Sequence, residues 1–497
     1  MALENGGAEA LGAELVNDLQ LSATALRLGR GRILLDVTDA EISMTTSMNA
    51  TRQAGTVPFH RLVPKLARGP LDALSAIANE TGGQVVRLDF GPFRPYLVTY
   101  PDHVQQVLRG NYSNYAREGG IWRPVRRVFG TTIMGQGSAW ETSRKILQPI
   151  FTSRFVASLG DGLAKTIEEG VGKLDGAAGS GRPIDTAEEM SRIVNMAVIR
   201  VLFGDKISHR DGERLCAALD SAARLMTLRL LVPFVPFLVP MPGDKAVADA
   251  IRLTDEVVRP LILKARAEPD EGVDVISALS RARASGPEED ENMRHDIIGI
   301  YAGATETTAM TLTWLWPVLN NHPEVYARLI DEVDRVVGAG PVQATHLPEL
   351  RYTKMVLQEL LRLYPTAWLW SRRAVESTEL GGVRIKAGSQ VLVSPYATHR
   401  LEEFWSRPLD FDPERFSPDA PGRRHRYSYY PFSGGPHQCL GQHLFYLKAP
   451  LIIAAVLRRF RPVSRLAGSP TPFPALTLRP KQKIELELVR RSSASAR

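Results

Sequence analysis

A single cysteine in the run Tyr430-Pro431-Phe432-Ser433-Gly434-Gly435-Pro436-His437-Gln438-Cys439-Leu440-Gly441 constrains this chain more than any other stretch. A glycine-rich loop that delivers one thiol to the start of a helix outlines a metal-thiolate site. The helix expected over 444–460 brings positive dipole and free backbone N–H groups to Cys439, which predicts a pKa below the usual value of about 8.5 and a readily held thiolate. Gly434, Gly435 and Gly441 allow backbone angles closed to other residues, and so a close approach to a flat partner. The competing reading is an inert cysteine packed as a small hydrophobe.

The chain has 497 residues and no Ser/Gly linker or charge block, which points to one large domain. Lys plus Arg outnumber Asp plus Glu by 61 to 54, a net charge of +7. That modest excess suits a basic patch for an acidic protein partner, and no base-stacking aromatic motif suggests nucleic acid. The two cysteines, Cys216 and Cys439, argue against a disulfide framework and suit a reducing compartment; Cys216 reads as core. No apolar run of membrane-spanning length and no secretory signal pattern is expected.

Along the chain, 59–82 has helical apolar spacing, 84–90 and 96–99 alternate as a hairpin about Gly91-Pro92, and a helix starts over 101–108. The apolar run 230–240 is broken by proline, as a flap or a buried connection. Residues 293–321 read as one long, nearly all-apolar helix with Tyr301-Ala302-Gly303-Ala304-Thr305-Glu306-Thr307-Thr308 in its middle. Gly303 thins that helix, Thr307 can bond a carbonyl one turn back, and an acid beside an alcohol can deliver protons where bulk water is excluded. Incidental polarity is the alternative. Glu359 and Arg362 lie three apart on a leucine-rich helix and pair; if buried, removing either strands a charge at roughly 3–5 kcal/mol. Short strands are expected within 378–393, and a closing hairpin from 476–479 and 484–489.

The stretch 432–441 resembles the haem-binding loop of the cytochrome P-450 superfamily: Phe, two residues, Gly, one residue, Arg or His, one residue, Cys, one residue, Gly. By that resemblance Cys439 is the axial iron ligand of haem b, with Phe432 and His437 also at the cofactor. Trp140 and Arg144, one helical turn apart, resemble the family's propionate-binding Trp-three-residues-Arg motif; a packed Trp beside a solvated Arg is the alternative. Arg372, with Arg373 as competitor, matches the family's propionate-binding Arg, and His399 is a further candidate contact, with a satisfied structural histidine as the alternative. The segment around Gly303 resembles the oxygen-activation motif, so Glu306 and Thr307 carry over as proton-relay residues. Glu359, Arg362 and Arg415 match a structural triad. Three positions depart from the pattern. Ala304 replaces the usual second Gly, Lys448 stands where Glu is frequent, and Pro450 interrupts the helix after the cysteine, where a kink is expected. Neither Lys448 nor Pro450 is expected to touch the iron.

The resemblance implies a mainly α fold with a smaller β lobe and a long central helix over the haem. It implies one domain over 56–490, between an unassigned leader 1–55 and a polar tail 491–497. The implied activity is monooxygenation, hydroxylation or epoxidation of a lipophilic small molecule with O2: a terpenoid, fatty acid or polyketide of secondary metabolism. Trp122, Trp368 and Leu369 are candidate apolar pocket residues. Electrons would come from NAD(P)H through a ferredoxin or flavodoxin and its reductase; the basic run Arg423-Arg424-His425-Arg426, with Arg458 and Arg459, is a candidate docking face, and a solvated loop is the alternative. The expected protein is a soluble, bacterial-type cytoplasmic monomer with no membrane span. Two rivals remain: a haem-thiolate isomerase or dehydratase needing no external electrons, and a non-catalytic haem protein that only binds ligands.

Overall fold

The computed structural model describes residues 53–120, 122–231, 239, 241–269, 271–420 and 422–491. Nearly all of the 1–55 leader, most of the 230–240 run and nearly all of the 491–497 tail lie outside the described residues.

The strands are β1 (Gly55–Val57), β2 (Val86–Leu88), β3 (Tyr96–Val98), β4 (Tyr115–Ala116), β5 (Ile184–Asp185), β6 (Trp370–Ala374), β7 (Thr378–Leu380), β8 (Val383–Ile385), β9 (Gln390–Val393), β10 (Phe460–Ser464), β11 (Pro472–Pro474), β12 (Leu478–Pro480) and β13 (Glu485–Arg490). Six of them form the main sheet, in the order β1-β2-β3-β9-β6-β4. The expected hairpin is β2 against β3, with Val86 opposite Leu97. It reverses at Gly91, whose φ of 78° costs glycine little. The expected closing hairpin is not formed. β13 pairs with β10 and β5, while β12 pairs with β11. Alternation marks a segment as a strand but does not say which edge it meets.

Eight helices position the site: α1 (Phe59–Arg68), α2 (Pro70–Glu80), α3 (Pro101–Gln105), α4 (Ser138–Ile150), α5 (Thr186–Phe203), α6 (Pro287–Asn320), α7 (Arg351–Leu363) and α8 (Gln442–Arg459). The central helix α6 starts six residues before the expected point. Pro287 sits at its first turn with Glu288, Glu289 and Asp290, which satisfies the backbone geometry and the positive end of the dipole. From Thr308 to Leu319 every α6 residue is buried. Helix α5 packs along it, and Tyr301 donates its hydroxyl to Asn195 Oδ1 at 2.9 Å. Trp314 stacks on Tyr364 at 4.2 Å and donates Nε1–H to the Leu478 carbonyl at 3.1 Å, which ties the β11–β12 hairpin to the core. Burying such a ring contributes on the order of 2–3 kcal/mol.

Helix α8 runs unbroken through Pro450. The segment Gly435–Arg459 holds an 18-residue window apolar enough to cross a membrane, with mean hydropathy 1.5, but 72% of that window is buried inside the protein. Its apolar character is that of a core helix, and Cys216 likewise packs partly buried on the same core. The result is mostly helical with a smaller sheet region.

Candidate functional site

The thiol loop is fixed from inside. Cys439 donates its backbone N–H to the Phe432 carbonyl at 2.9 Å, and the Phe432 ring packs on Phe445 and Tyr446 of α8. Two glycines are required by the chain itself. A Cβ at Gly434 would lie 2.5 Å from the Tyr427 ring, and one at Gly435 (φ 66°) would lie 1.9 Å from the Leu108 carbonyl oxygen. The Cys439 side chain is accessible, yet it lies deep in the protein, so its sulfur opens on interior space. Burial raises the thiol pKa. The Gly441 N–H at the start of α8, then Arg144, Lys448 and Arg117, pull the other way. The lowering expected from the helix dipole is therefore outweighed by desolvation, which a reading of the loop alone does not weigh.

Around this loop sits a group of cations with too few acceptors. Arg372 is buried on β6 and donates Nη1–H to the Ser371 carbonyl at 2.8 Å, while Nη2 has no protein partner. Arg117, just after β4, reaches the His437 and Ile133 carbonyls at 3.4 Å, and its Nε is unpartnered. Both guanidiniums lie over the Trp122 ring, at 5.9 and 5.4 Å. His437 packs against Trp140 at 4.0 Å with both ring nitrogens unpartnered and buried. Arg144, one turn after Trp140 on α4, donates to the Gln438 carbonyl at 2.6 Å. Among the described residues no carboxylate comes within ion-pair range of Arg117, Arg144 or Arg372. Burial lowers Arg372 to about 10, and burial with the neighbouring arginines holds His437 down at about 2. Arg373 is on the opposite face of β6, exposed and 3.8 Å from Glu118.

The third part is the middle of α6. Gly303 is exposed although buried turns flank it, and a Cβ there would meet nothing within 4 Å. Thr307 Oγ1 donates to the Gly303 carbonyl at 2.7 Å, the bond one turn back expected from the sequence. Glu306 faces away toward the β11–β12 hairpin, where its Oε1 accepts from Thr477 at 2.8 Å and Arg479 at 2.5 Å. Lys448 of α8 donates its amine to the Ala304 carbonyl and carries the coulombic influence of Cys439, which links the thiol loop to this turn. Burial drives that amine down to about 7.

Glu359, Arg362 and Arg415 form a separate network whose charge is answered inside the protein by the Glu359 carboxylate, although Arg415 Nε has no hydrogen-bond partner. Arg362 grips Glu359 in a fork at 2.7 and 2.8 Å and donates to the carbonyls of His399, Pro408 and Asp410. Arg415 approaches Glu359 at 3.3 Å, and the Asp412 N–H adds a bond at 2.9 Å. His399 belongs here and not with the unpartnered cations. Its Nε2 accepts from the Tyr430 N–H at 3.0 Å, and its ring lies against Tyr429 and Tyr430.

The sequence profile described as "Cytochrome P450" matches residues 56–488. The chain belongs to the cytochrome P450 family. A "Cyclooctatin synthase" of Streptomyces melanosporofaciens is 31% identical over 90% of this chain and 95% of its own length. A "Pentalenene oxygenase" of Streptomyces avermitilis is 26% identical over 88% of this chain and 97% of its own. The crystal structure of a cytochrome P450DA heme domain superposes with a TM-score of 0.76 at 21% identity, over 89% of this chain and 99% of that one.

Family membership implies haem iron, and the residues present fit it. An open sulfur suits an axial ligand. Unpartnered nitrogens on Arg117, Arg372 and His437 suit the two carboxylates of a porphyrin. This P450 also holds site residues that motif spacing did not find. Arg117 belongs to no motif, and its only trace is a lone cation after the buried pair Tyr115-Ala116. Lys448 was visible as a departure, but its contact with α6 was not. Trp122 lies in the cation cluster, and its Nε1–H donates to the Ser371 carbonyl at 2.9 Å. Trp368 is tied to the Ala475 carbonyl at 2.9 Å, and Leu369 packs on the smaller core near β2 and β3. Much of the expected docking face is engaged. Arg424 lies over Trp405 at 4.6 Å, and Arg458 and Arg459 both bind Glu168, at 2.8 and 3.0 Å.

Proposed function

We propose that this P450 is a monooxygenase that inserts one atom of O2 into an apolar, terpenoid-type skeleton, by hydroxylation or epoxidation. When bound, haem supplies the dioxygen chemistry, and Cys439 is the residue that would hold its iron. Arg117, Arg372, Arg144 and His437 would orient it through its carboxylates. The exposed 303–307 face of α6 carries the reading. There the Thr307 hydroxyl lies beside Gly303 and can pass a proton without opening the site to bulk water, while Glu306, held by Thr477 and Arg479 on another side of the helix, would have to turn to reload it. The substrate class is supported by the names of the two Streptomyces relatives. Electrons come from NAD(P)H through a ferredoxin- or flavodoxin-type protein and its reductase, with the P450 acting as a cytoplasmic monomer.

The test is a reconstituted assay with NAD(P)H, a bacterial ferredoxin and its reductase, against a panel of cyclic terpene hydrocarbons. Products heavier by one oxygen, labelled from ¹⁸O2, are expected. Product formed without NAD(P)H would assign the chain to rearrangement or dehydration, and spectral shifts without turnover would make it a binding protein. In Thr307→Ala, hydrogen peroxide released per NAD(P)H should rise about tenfold or more, in line with the share that positioned proton transfer contributes. Unchanged coupling removes Thr307 from the relay.

A further inference from the structure

Two departures from the family pattern, 144 residues apart in the chain, meet in the structure. Lys448 on α8 donates its amine to the carbonyl of Ala304 on α6. The side chain is only 1% exposed, and among the described residues no carboxylate lies within ion-pair range of it. Burying an ammonium costs several kcal/mol after relaxation, while one charge-assisted hydrogen bond offsets only about 1.5–3 kcal/mol. A residue kept at a net cost to stability is expected where function requires it.

The carbonyl that Lys448 holds is in the turn that matters. Thr308 Oγ1 donates to the same Ala304 oxygen at 3.1 Å, and Thr307 Oγ1 donates to the preceding carbonyl, Gly303, at 2.7 Å. Two successive carbonyls are thus drawn toward side chains at the turn where Gly303 is exposed, within a helix that stays continuous. On another side of the helix, Thr477 and Arg479 hold Glu306. The open face is therefore fixed from two flanks, by α8 and by the β11–β12 hairpin.

We propose that Lys448 is a positioning residue for oxygen activation: its bond to the Ala304 carbonyl sets the shape of the 303–307 turn, a task that a more flexible glycine at 304 would leave to the backbone. The inference rests on reading that turn as the place where protons are delivered to dioxygen. It also explains why Ala304 and Lys448 occur together in this chain, since a stiffer residue at 304 needs an external group to hold the turn open.

The test reads the turn without turnover, through the infrared C–O stretch of carbon monoxide bound to the reduced holoenzyme. Lys448→Met removes the donor and should displace or split that band and raise peroxide release severalfold, while thiolate-type absorption is retained. Lys448→Gln keeps a donor without the charge and should stay near the parent band. A Met band identical to the parent, or a Gln band that follows Met, overturns the proposal. If the Met variant takes up no haem, Ala304→Gly carries the test from the other partner, with a band shift expected and an unmoved band decisive against. Thr307→Ala separates this inference from the reading beneath it. Tight coupling in Thr307→Ala with a shifted Lys448→Met band sinks the relay and leaves the positioning role standing; peroxide leakage with an unmoved band does the reverse.

Discussion

Two of the clusters of buried arginine among the described residues differ in whether the protein answers their charge. Around Glu359, every arm of Arg362 has an acceptor, supplied by a carboxylate and three backbone carbonyls. Around His437, Arg117 and Arg372 share no carboxylate, and both leave a buried nitrogen without a partner. Desolvation opposes the charge in each place, so residue type and burial alone do not separate structure from function. The counter-charge does. A cluster built on its own carboxylate is self-sufficient, whereas buried cations that share no carboxylate are shaped for an anion from outside the chain.

The contrast is sharpest under mutation. Glu359→Gln should leave Arg362 buried without its counter-ion and cost roughly 3–5 kcal/mol, a large share of the stability of an ordinary domain. The urea midpoint should fall, with or without haem. A variant within about 0.5 kcal/mol of the parent would show that the carbonyls alone can hold Arg362, and would erase the distinction between the clusters.

Arg372→Met should have the opposite profile. It removes a desolvated charge with an unpartnered nitrogen, so the haem-free chain should be no less stable. Haem retention should weaken by about tenfold or more, corresponding to loss of one charge-assisted contact of about 1.5–3 kcal/mol. The rate of haem transfer to an excess of apomyoglobin measures this. Equal loss of stability in both states would return Arg372 to the structural class.

These differences explain what could be read in advance. The thiol loop, the long helix and the Glu359–Arg362 spacing were legible because each is a local pattern within about one turn or loop. The bond Thr307 makes to Gly303 is local too. The sign of the Cys439 shift was not legible, because it depends on how much protein surrounds the sulfur rather than on the helix that follows it. Arg117, the Lys448–Ala304 contact and the hold of Arg479 on Glu306 join segments far apart in sequence, and no periodicity encodes such meetings. The closing hairpin failed for the same reason: β13 alternates equally well whichever strand it borders.

The smallest effect tests whether His399 stays neutral beside the Glu359 network. Burial and then the charges of Arg362 and Arg400 hold its pKa well below 6.5, and the remaining titratable neighbours in contact are Tyr429 and Tyr430. The folded protein thus keeps His399 neutral while the unfolded chain binds a proton below about pH 6.5, so stability falls as pH drops through that value and is unaffected above it. The contribution approaches about 1.4 kcal/mol per pH unit on the acid side. His399→Gln keeps an acceptor for the Tyr430 N–H but cannot titrate. The stability gap between parent and variant should therefore be constant from pH 8 to 7 and shift in the variant's favour toward pH 5, measured by urea unfolding at each pH. A gap that stays flat to pH 5 would mean that His399 takes up its proton in the folded state, with the Nδ1 that now has no partner finding an acceptor.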